Sequence, residues 1–239
     1  MTSRRSTQLP PSARKDAGGA GSPSHPRRLL DLFCCQGGAS AGYVAAGFDV
    51  VGVDLEPQPR YPYRFIKGDA LEFLYYLDND WSQFDAIHAS PPCQAHSNAQ
   101  RIQKNDHPDL IGPTRELLEA TGLPYVIENV EGAPLINPQM LCGTMFGLRT
   151  YRHRLFETNF SWTAPLHGEH SIPQTKMGRR PKPGEFMQVV GNFSGADEAR
   201  EIMGMPWASR DGLREAIPPA YTEFIGEQLL AHVRAGAAA

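Results

Sequence analysis

The stretch DLFCCQGGASAGY (residues 31–43) joins an apolar segment to a helix-like segment through the paired glycines Gly37 and Gly38. RLLDLFCC (28–35) is typical of a buried strand, and ASAGYVAAGF (39–48) predicts a short helix of small residues. A glycine turn of this kind brings backbone N–H groups close to a ligand at the carboxyl edge of a sheet. The stretch therefore predicts the first strand, turn and helix of an α/β fold.

The same alternation continues along the chain. Strands separated by helix-sized segments favour a mostly parallel sheet with helices on both faces. Further strands are predicted in DVVGVDLE (49–56), FIKGD (65–69), FDAIHAS (84–90), PYVIENV (124–130) and, as a short strand, QVVGNF (188–193). Further helices are predicted in ALEFLYYLD (70–78), TRELLEATG (114–122), ADEAREIMG (196–204) and PPAYTEFIGEQLLAHVR (218–234).

Length and composition are those of a soluble protein. The 239 residues, 41% of them hydrophobic, fit one large domain. Residues 1–27 are rich in Ser, Pro, Gly and Arg and predict a disordered basic tail. No apolar run reaches the length of a membrane span, and no apolar signal-peptide core follows the N-terminal arginines. We therefore expect a cytoplasmic protein.

A basic cluster lies in residues 149–182, although the net charge of the chain is −3. This local excess indicates a surface for a polyanion, and a solvated loop explains it equally well. The cluster contains Arg149, Arg152, Arg154, Lys176, Arg179, Arg180 and Lys182 against Glu157 and Glu169.

Acidic residues follow the second and third predicted strands. Asp54 stands where a carboxylate can accept both hydroxyls of a ribose, and Asp69 could accept from an adenine amino group. The glycines do not form G-x-G-x-x-G, so a nucleoside without phosphates fits the turn better than a pyrophosphate does. S-adenosylmethionine is the common ligand of that kind. Alternatively, Gly37 and Gly38 only form a tight turn, and Asp54 is a solvated strand end.

A cysteine follows the fourth predicted strand at the same sheet edge. In ASPPCQAHSN (89–98), Pro91 and Pro92 fix φ and stiffen the loop that presents Cys93. A nucleophilic cysteine needs a rigid, partly exposed site near positive charge. Glu128 ends the neighbouring fifth strand, so its carboxyl group and the thiol can face one substrate ring.

Two arginines flank His153 in YRHRLF (151–156). In an extended segment Arg152 and Arg154 point to one face, where they could bind a carbonyl oxygen and a phosphate. Each residue taken singly has a structural explanation. Cys93 could be a packed thiol, Glu128 a surface carboxylate, and the two arginines part of a solvated strand face. Their joint appearance at successive sheet-edge positions favours a catalytic site.

These segments together resemble the C5-cytosine DNA methyltransferase family, from about Leu30 to Arg234. The resemblance implies a Rossmann-like, S-adenosylmethionine-dependent methyltransferase fold. The segments that resemble family motifs are DLFCCQGG (31–38), SPPCQAHS (90–97), ENV (128–130), YRHRLFE (151–157), EIMGMPW (201–207) and EAIPPAYTEFIG (215–226).

The resemblance also implies a mechanism and a set of site residues. Cys93 would attack C6 of a cytosine flipped out of double-stranded DNA, and Glu128 would hold N3 and the exocyclic amine. Arg154 would bind O2, and Arg152 would support it or a phosphate. The cofactor contacts implied are Phe33, Gly37, Gly38, Asp54, Leu55, Asp69 and Ala70. The nucleic-acid contacts expected are Gln94, Ser97, Arg149, Lys176, Arg179, Arg180 and Lys182.

The resemblance divides the chain into a catalytic domain, residues 28–156 and 197–239, and a target-recognition region, residues 157–196. About forty residues can form a loop and a small strand pair, so we expect short or relaxed sequence specificity. The trimmed architecture is similar to that of phage-encoded members. The chain departs from the family pattern at Cys35 and Gln36 in the glycine turn, at Thr150, where a glutamine is frequent, and at Glu215, where an asparagine is usual.

A metal site is not expected from the sequence. His167 and His170 have no cysteine pair nearby, and structural zinc normally takes four ligands. We interpret these histidines as polar loop residues or phosphate contacts, and we expect Cys142 in LCGTMFG (141–147) to lie in the core.

Two rival functions fit part of the pattern. An RNA cytosine methyltransferase uses the same catalytic set, and a DNA-binding decoy would have lost catalysis. The retained Cys93, Glu128 and Arg154 argue against the decoy. We expect a monomer; a cognate restriction enzyme, phage self-protection and an orphan regulatory role all fit the sequence.

Overall fold

The structure is a computed structural model that describes residues 26–76, 81–92 and 109–237. Within these residues seven strands form one sheet: β1 (Arg28–Leu32), β2 (Asp49–Asp54), β3 (Arg64–Lys67), β4 (Ala86–Ala89), β5 (Tyr125–Asn129), β6 (Gln139–Leu141) and β7 (Arg154–Thr158). Their order across the sheet is β3-β2-β1-β4-β5-β7-β6. Strands β1 to β5 pair in parallel, and β7 is antiparallel to both β5 and β6.

The described residues also form six α-helices: α1 (Gly38–Ala45), α2 (Ala70–Tyr76), α3 (Ile111–Thr121), α4 (Ala196–Met203), α5 (Arg210–Glu215) and α6 (Pro219–Gly236). Alternate residues of a strand face opposite sides of the sheet. Leu29 and Val126 accordingly pack with α1 and α6 on one face, whereas Leu30 and Ile127 pack with α2 and α3 on the other. Burial on both faces explains why the central strands are continuous apolar runs in the sequence.

The predicted fold class is confirmed, because the sheet is mostly parallel and has helices on both faces. A third, smaller apolar cluster joins Met187 and Phe193 to α4 and α5. This cluster holds the end of the region between β7 and α4 against the C-terminal part of the chain.

Three parts of the secondary structure differ from the sequence prediction. The predicted strand at 188–193 is wrong: none of these described residues lies in a strand, and Val189 is instead buried in the smaller apolar cluster. Strand β6 and helix α5 were not predicted, since three and six residues are too short to show a clear hydrophobic period. Strand β7 continues to Thr158, past residue 157, where the target-recognition region was predicted to begin.

The predicted basic tail, residues 1–27, lies outside the described residues except at 26–27. Among the described helices, none combines the length and the apolar character needed to cross a lipid bilayer.

A buried ion pair fixes α3 to β7. Glu157 is almost fully buried and accepts hydrogen bonds from Nε and Nη2 of Arg115, at 2.6 and 2.8 Å. Its Oε2 also accepts from the backbone N–H of Ile136 at 2.7 Å. Removing one partner of a buried pair leaves the other charge without compensation.

We therefore expect Glu157→Gln to lower the free energy of unfolding by about 3 kcal/mol, measured by chemical denaturation. Asp49→Asn is the matched control, since it breaks the more exposed pair with Arg28, whose Nε lies 2.9 Å from Asp49 Oδ2. That change should cost less than about 1 kcal/mol. Equal losses in the two variants would contradict a special role for the buried pair.

Candidate active site

The carboxyl ends of the parallel strands lie along one edge of the sheet. Strand β1 is central and pairs with β2 on one side and β4 on the other. Ligands of open α/β sheets bind in the crevice where the strand order reverses in this way. The predicted cofactor residues lie at or just after the ends of β1, β2 and β3, whereas Glu128 belongs to β5, so the two halves of the predicted site flank this crevice.

Several residues of the glycine turn have a left-handed backbone. Gly37 precedes α1 with φ of +81°, and a Cβ on Gly38 would lie 2.5 Å from the carbonyl oxygen of Ile217. Phe33 and Cys35 also have positive φ, +59° and +45°. Non-glycine residues rarely adopt such values, and those that do concentrate at functional sites. The turn is therefore held in one shape by its surroundings.

The two predicted acidic residues retain the capacity to accept further hydrogen bonds. Asp54 Oδ2 accepts from the backbone N–H of Cys35 at 2.9 Å, which ties the glycine turn to the end of β2. Asp69 Oδ1 accepts from the N–H groups of Leu71 and Glu72, both at 2.9 Å, and so caps α2. A carboxylate offers about four lone-pair sites, so each group can also accept from hydroxyl or amino groups of a ligand.

The remaining predicted cofactor residues differ in exposure. Phe33 is half-buried just after β1, and Leu55 is exposed just after β2. Apolar side chains at these positions offer a surface for a flat ring. Ala70 is buried in the core at the start of α2.

Two departures from the family pattern meet in space. The thiol of Cys35 lies 3.7 Å from Glu215 Oε2. Burial and the neighbouring Glu215 carboxylate raise the pKa of this thiol to about 12. Gln36 is also engaged: its amide donates to Ser209 Oγ and accepts from Ser209 N, at 2.9 and 2.8 Å. These side chains attach the glycine turn to the segment around α5.

A buried carboxyl group lies beneath the turn and was not singled out from the sequence. Asp31 is fully buried, and its Oδ2 accepts from the hydroxyl of Ser40, which is also 2.7 Å from the hydroxyl of Tyr61. Its Oδ1 has no hydrogen-bond partner in the described part of the chain. Burial raises the pKa of Asp31 to about 7, with the Ser40 hydrogen bond opposing the shift.

On the other side of the crevice, Glu128 and Arg154 form a buried pair. Arg154 Nε lies 3.0 Å from Glu128 Oε1, and both side chains are largely buried. Burial raises the pKa of Glu128, whereas Arg154, a hydrogen bond from Ser90 and the charge of Arg152 oppose that shift. A carboxyl group in this state is closer to protonation than an exposed one, and it can therefore either accept or donate a hydrogen bond.

A chain of buried polar groups supports Glu128. Ser90 Oγ lies 2.9 Å from Nε2 of His88, and Nδ1 of His88 lies 2.9 Å from the hydroxyl of Tyr43. Burial lowers the pKa of His88 to about 3, so the ring is neutral and can donate through one nitrogen and accept through the other. Sequence patterns could not reveal this hydrogen-bonded chain, since single polar residues inside an apolar strand show no period.

The exit of β4 is attached to the end of β5. The side-chain amide of Asn129 donates to the carbonyl oxygen of Pro91 at 2.9 Å. The prolines before the predicted nucleophile therefore lie beside the strand end that carries Glu128. Cys93, Gln94 and Ser97 lie outside the described residues, so their predicted roles remain predictions.

Contrary to the expectation from the sequence, Arg152 lacks the extended backbone that would place its side chain on the same face as that of Arg154. Its φ is +36°, which turns the backbone before β7 begins. Its buried guanidinium donates to backbone carbonyl oxygens of the C-terminal region. These acceptors are Val189, Leu213, Arg214 and Ala216. Arg152 therefore fastens the segment before α6 to the start of β7, and its predicted contact with a substrate remains a prediction.

The predicted nucleic-acid contacts separate into two groups. Arg149 lies 3.6 Å from carboxylate oxygens of Glu198 and Glu201, and Arg179 binds both carboxylate oxygens of Glu185. The side chains of Lys176, Arg180 and Lys182 are exposed. Lys176, Arg180 and Lys182 can therefore contact a polyanion directly, whereas Arg149 and Arg179 would first have to leave their carboxylate partners.

Comparison with known proteins shows the fold. No family model matches the chain. A candidate DNA modification methyltransferase encoded within an E. coli prophage is 16% identical, with a TM-score of 0.60 over 87% of this chain and 99% of its own. The S. pombe Dnmt2 methyltransferase is 15% identical, with a TM-score of 0.59 over the same share of each chain. The chain has the fold of these methyltransferases.

Among curated proteins, two matches are partial. Two proteins of Methanocaldococcus jannaschii, each described as a candidate ribosomal RNA large subunit methyltransferase, are 33% and 32% identical over 79 and 84 residues. These segments are 27% and 29% of this chain. The matches span only about a fifth of the length of these relatives, 20% and 22%.

The buried Asp31 carboxyl group generates a pH prediction. The folded protein keeps the Asp31 proton up to about pH 7, whereas the unfolded chain releases it near pH 3.8. This group therefore lowers stability progressively as the pH rises between these values, and the full penalty is present above about pH 7.

Asp31→Asn cannot ionise and should remove this penalty. We expect the variant to be more stable than the wild type at pH 8, by up to about 4 kcal/mol, and to show little gain at pH 4. Chemical denaturation at both pH values measures the difference. The same gain at pH 4 and pH 8 would show that charge burial is not the cause.

Proposed function

We propose that the protein is an S-adenosylmethionine-dependent cytosine-5 methyltransferase that acts on DNA. The observation that carries this proposal is the buried Glu128–Arg154 pair beside the Pro91–Pro92 exit of β4, across the crevice from the glycine turn. In the sequence Cys93 directly follows Pro92, so a candidate nucleophile comes immediately after this strand exit.

The cofactor half fits a nucleoside. Asp54 and Asp69 can accept from ribose hydroxyls and an adenine amino group, and the exposed Leu55 offers an apolar surface beside them. S-adenosylmethionine supplies an electrophilic methyl group when bound. The predicted fold and the fold shared with solved methyltransferases both support this ligand.

The target half supplies the groups that activate a cytosine. Addition of the Cys93 thiolate to C6 would form a C–S bond and shift electron density to C5. C5 would then take the methyl group as the methyl–sulfur bond breaks, leaving S-adenosylhomocysteine. Glu128 would hold N3 and the exocyclic amine, and its raised pKa favours donation of a hydrogen bond to N3. Arg154 would bind O2. Loss of the C5 proton to a base, which can be a water molecule, then breaks the C–S bond and regenerates the thiolate.

The base must leave the duplex for this chemistry, because C6 is not accessible within a stack. The exposed Lys176, Arg180 and Lys182 belong to the predicted target-recognition region and would contact phosphates. The prophage protein with a similar fold, described as a candidate DNA modification methyltransferase, is consistent with a DNA substrate.

RNA is the second candidate substrate. The partial curated relatives are described as candidate ribosomal RNA methyltransferases, and this is the observation that favours it. The same Cys93, Glu128 and Arg154 would serve, so the catalytic chemistry does not separate the two substrates. A monomer and a cognate restriction enzyme remain predictions of the sequence.

A covalent adduct tests the catalytic proposal. Duplex DNA that contains 5-fluorocytosine cannot release the C5 substituent, so the wild-type protein with S-adenosylmethionine should form an adduct that survives denaturing electrophoresis. Cys93→Ser should bind DNA and form none. Absence of an adduct with the wild type, under conditions where binding of S-adenosylmethionine is measured calorimetrically, would overturn the proposed mechanism.

Substrate choice requires a separate measurement. Transfer of labelled methyl groups to duplex DNA, transfer RNA and ribosomal RNA should favour DNA, and bisulfite sequencing of DNA from expressing cells should show methylated cytosines. DNA binding should weaken steeply with salt if phosphates are contacted, and less steeply in Arg180→Gln. Exclusive labelling of an RNA would replace DNA by RNA as the substrate and keep the chemistry.

A further inference from the structure

Four metal-ligating side chains converge beside β7. Cys142 follows β6, His153 lies between Arg152 and Arg154, and His167 and His170 come from the loop after β7. One ligand atom from each of the four lies within 4.8 Å of all the others.

Hydrogen bonding alone does not explain this cluster. Nε2 of His170 lies 3.1 Å from Nε2 of His167, 3.2 Å from Nε2 of His153 and 3.4 Å from Sγ of Cys142. An imidazole nitrogen carries either one hydrogen or one lone pair, so it can satisfy one of these three neighbours. At least two of these three close contacts are therefore not hydrogen bonds.

A metal ion at the centre would satisfy all four atoms. Zn²⁺ binds histidine nitrogen at about 2.0–2.1 Å and cysteine sulfur at about 2.3 Å in a tetrahedron. Ligand nitrogens of such a site are about 3.3 Å apart, and nitrogen and sulfur are about 3.5 Å apart. The three separations that involve His170, 3.1 to 3.4 Å, are close to these values, and all four ligand atoms lie within 4.8 Å of one another.

The surrounding residues have the arrangement of an outer coordination shell. Nδ1 of His153 lies 3.1 Å from Oε2 of Glu131, and a carboxylate in this position fixes the ring so that Nε2 faces the metal. Thr144 Oγ1 lies 3.1 Å from Sγ of Cys142 and can donate to a thiolate. The ring of Tyr151 stacks on His170 with centroids 3.6 Å apart.

We propose that Cys142, His153, His167 and His170 bind one structural Zn²⁺ ion. Four protein ligands leave no open position, and nitrogen and sulfur donors together favour zinc over calcium or magnesium. This inference does not depend on the proposed methyltransferase function, since it concerns how the loop after β7 is held.

The ion would join three separate segments of the chain. Residues 159–195 form no helix or strand in this described part of the chain, apart from one isolated bridge between Gln174 and Phe186. Irregular segments of this length are uncommon in a compact domain. The zinc ion would attach this loop to the strand that carries Arg154, and so fix the predicted target-recognition region relative to the catalytic residues.

The sequence indicated no metal site because only histidines and cysteines close together along the chain show a recognisable ligand spacing. His167 and His170 are three residues apart, but Cys142 is 28 residues before His170. Cys142 is buried, as expected for a core residue, but its thiol faces the histidine cluster.

Metal content tests the proposal directly. The full chain, without an affinity tag and expressed with added Zn²⁺, should retain about one zinc ion after dialysis against metal-free buffer, measured by mass spectrometry. His167→Ala removes an exposed loop ligand and should weaken zinc binding more than 100-fold in competition with a chromogenic chelator. Glu131→Gln, which removes the outer carboxylate, should weaken it about 10-fold.

His232→Ala is the matched control, since this histidine lies on α6, and the variant should bind zinc like the wild type. Co²⁺ replacement supplies a second measurement: the wild type and Cys93→Ser should show a thiolate-to-cobalt charge-transfer band, and Cys142→Ser should lack it. Circular dichroism confirms that each variant is folded. Wild-type protein without tightly bound zinc, or His167→Ala that binds it as tightly as the wild type, would overturn the proposal.

Discussion

The close approach of α1 to α6 is the constraint on which both halves of the candidate site depend. A Cβ on Gly42 would lie 2.1 Å from the carbonyl oxygen of Pro219, so only glycine allows this contact. Thr222 reinforces it by donating to the carbonyl oxygen of Ala39 at 2.8 Å. The same helix reaches the other half, because the hydroxyl of Tyr221 donates to the carbonyl oxygen of Arg152 at 2.9 Å. Helix α6 therefore positions both the glycine turn and the segment that leads to Arg154.

Buried charges in this protein fall into two kinds. Glu157 is compensated by Arg115, and Arg152 by backbone carbonyl oxygens, so these groups hold elements together. Asp31 has no cation among the contacts described, and Glu128 keeps a raised pKa despite Arg154. Groups of the second kind lower stability, and they are enriched at functional sites because chemistry needs perturbed pKa values. Asp31 lies in β1 and Glu128 in β5, so the two groups belong to strands on either side of β4.

The sequence predicted the central sheet and the position of the glycine turn, because strand periodicity and chain order determine which strand ends share an edge. The ion pair between Glu128 and Arg154 was not predicted, since it joins two neighbouring strands that run in opposite directions. The sequence also could not predict the turned backbone of Arg152, since an R-x-R pattern carries no information on φ. Strand β6 has too few residues to show alternation. The ligand cluster around His170 depends on tertiary contacts between β6, β7 and the following loop, and no local spacing encodes them. Tertiary packing, rather than local propensity, decided each of these features.

The departures from the family pattern bear on which cysteine could be the nucleophile. Cys35 contacts Glu215, and burial with this carboxylate keeps its thiol protonated at neutral pH, with a pKa of about 12. Burial likewise raises the pKa of Cys34. The thiol of Cys142 faces the three histidines of the proposed zinc site. A thiolate is the reactive form of cysteine, so Cys34 and Cys35 do not have the environment of a nucleophile, and Cys142 would be occupied as a metal ligand. Cys93 is therefore the cysteine left as the candidate nucleophile. Glu215, where the family usually has an asparagine, contacts the Cys35 thiol and also lies 3.7 Å from Nε of Arg214, so its charge has a cation nearby.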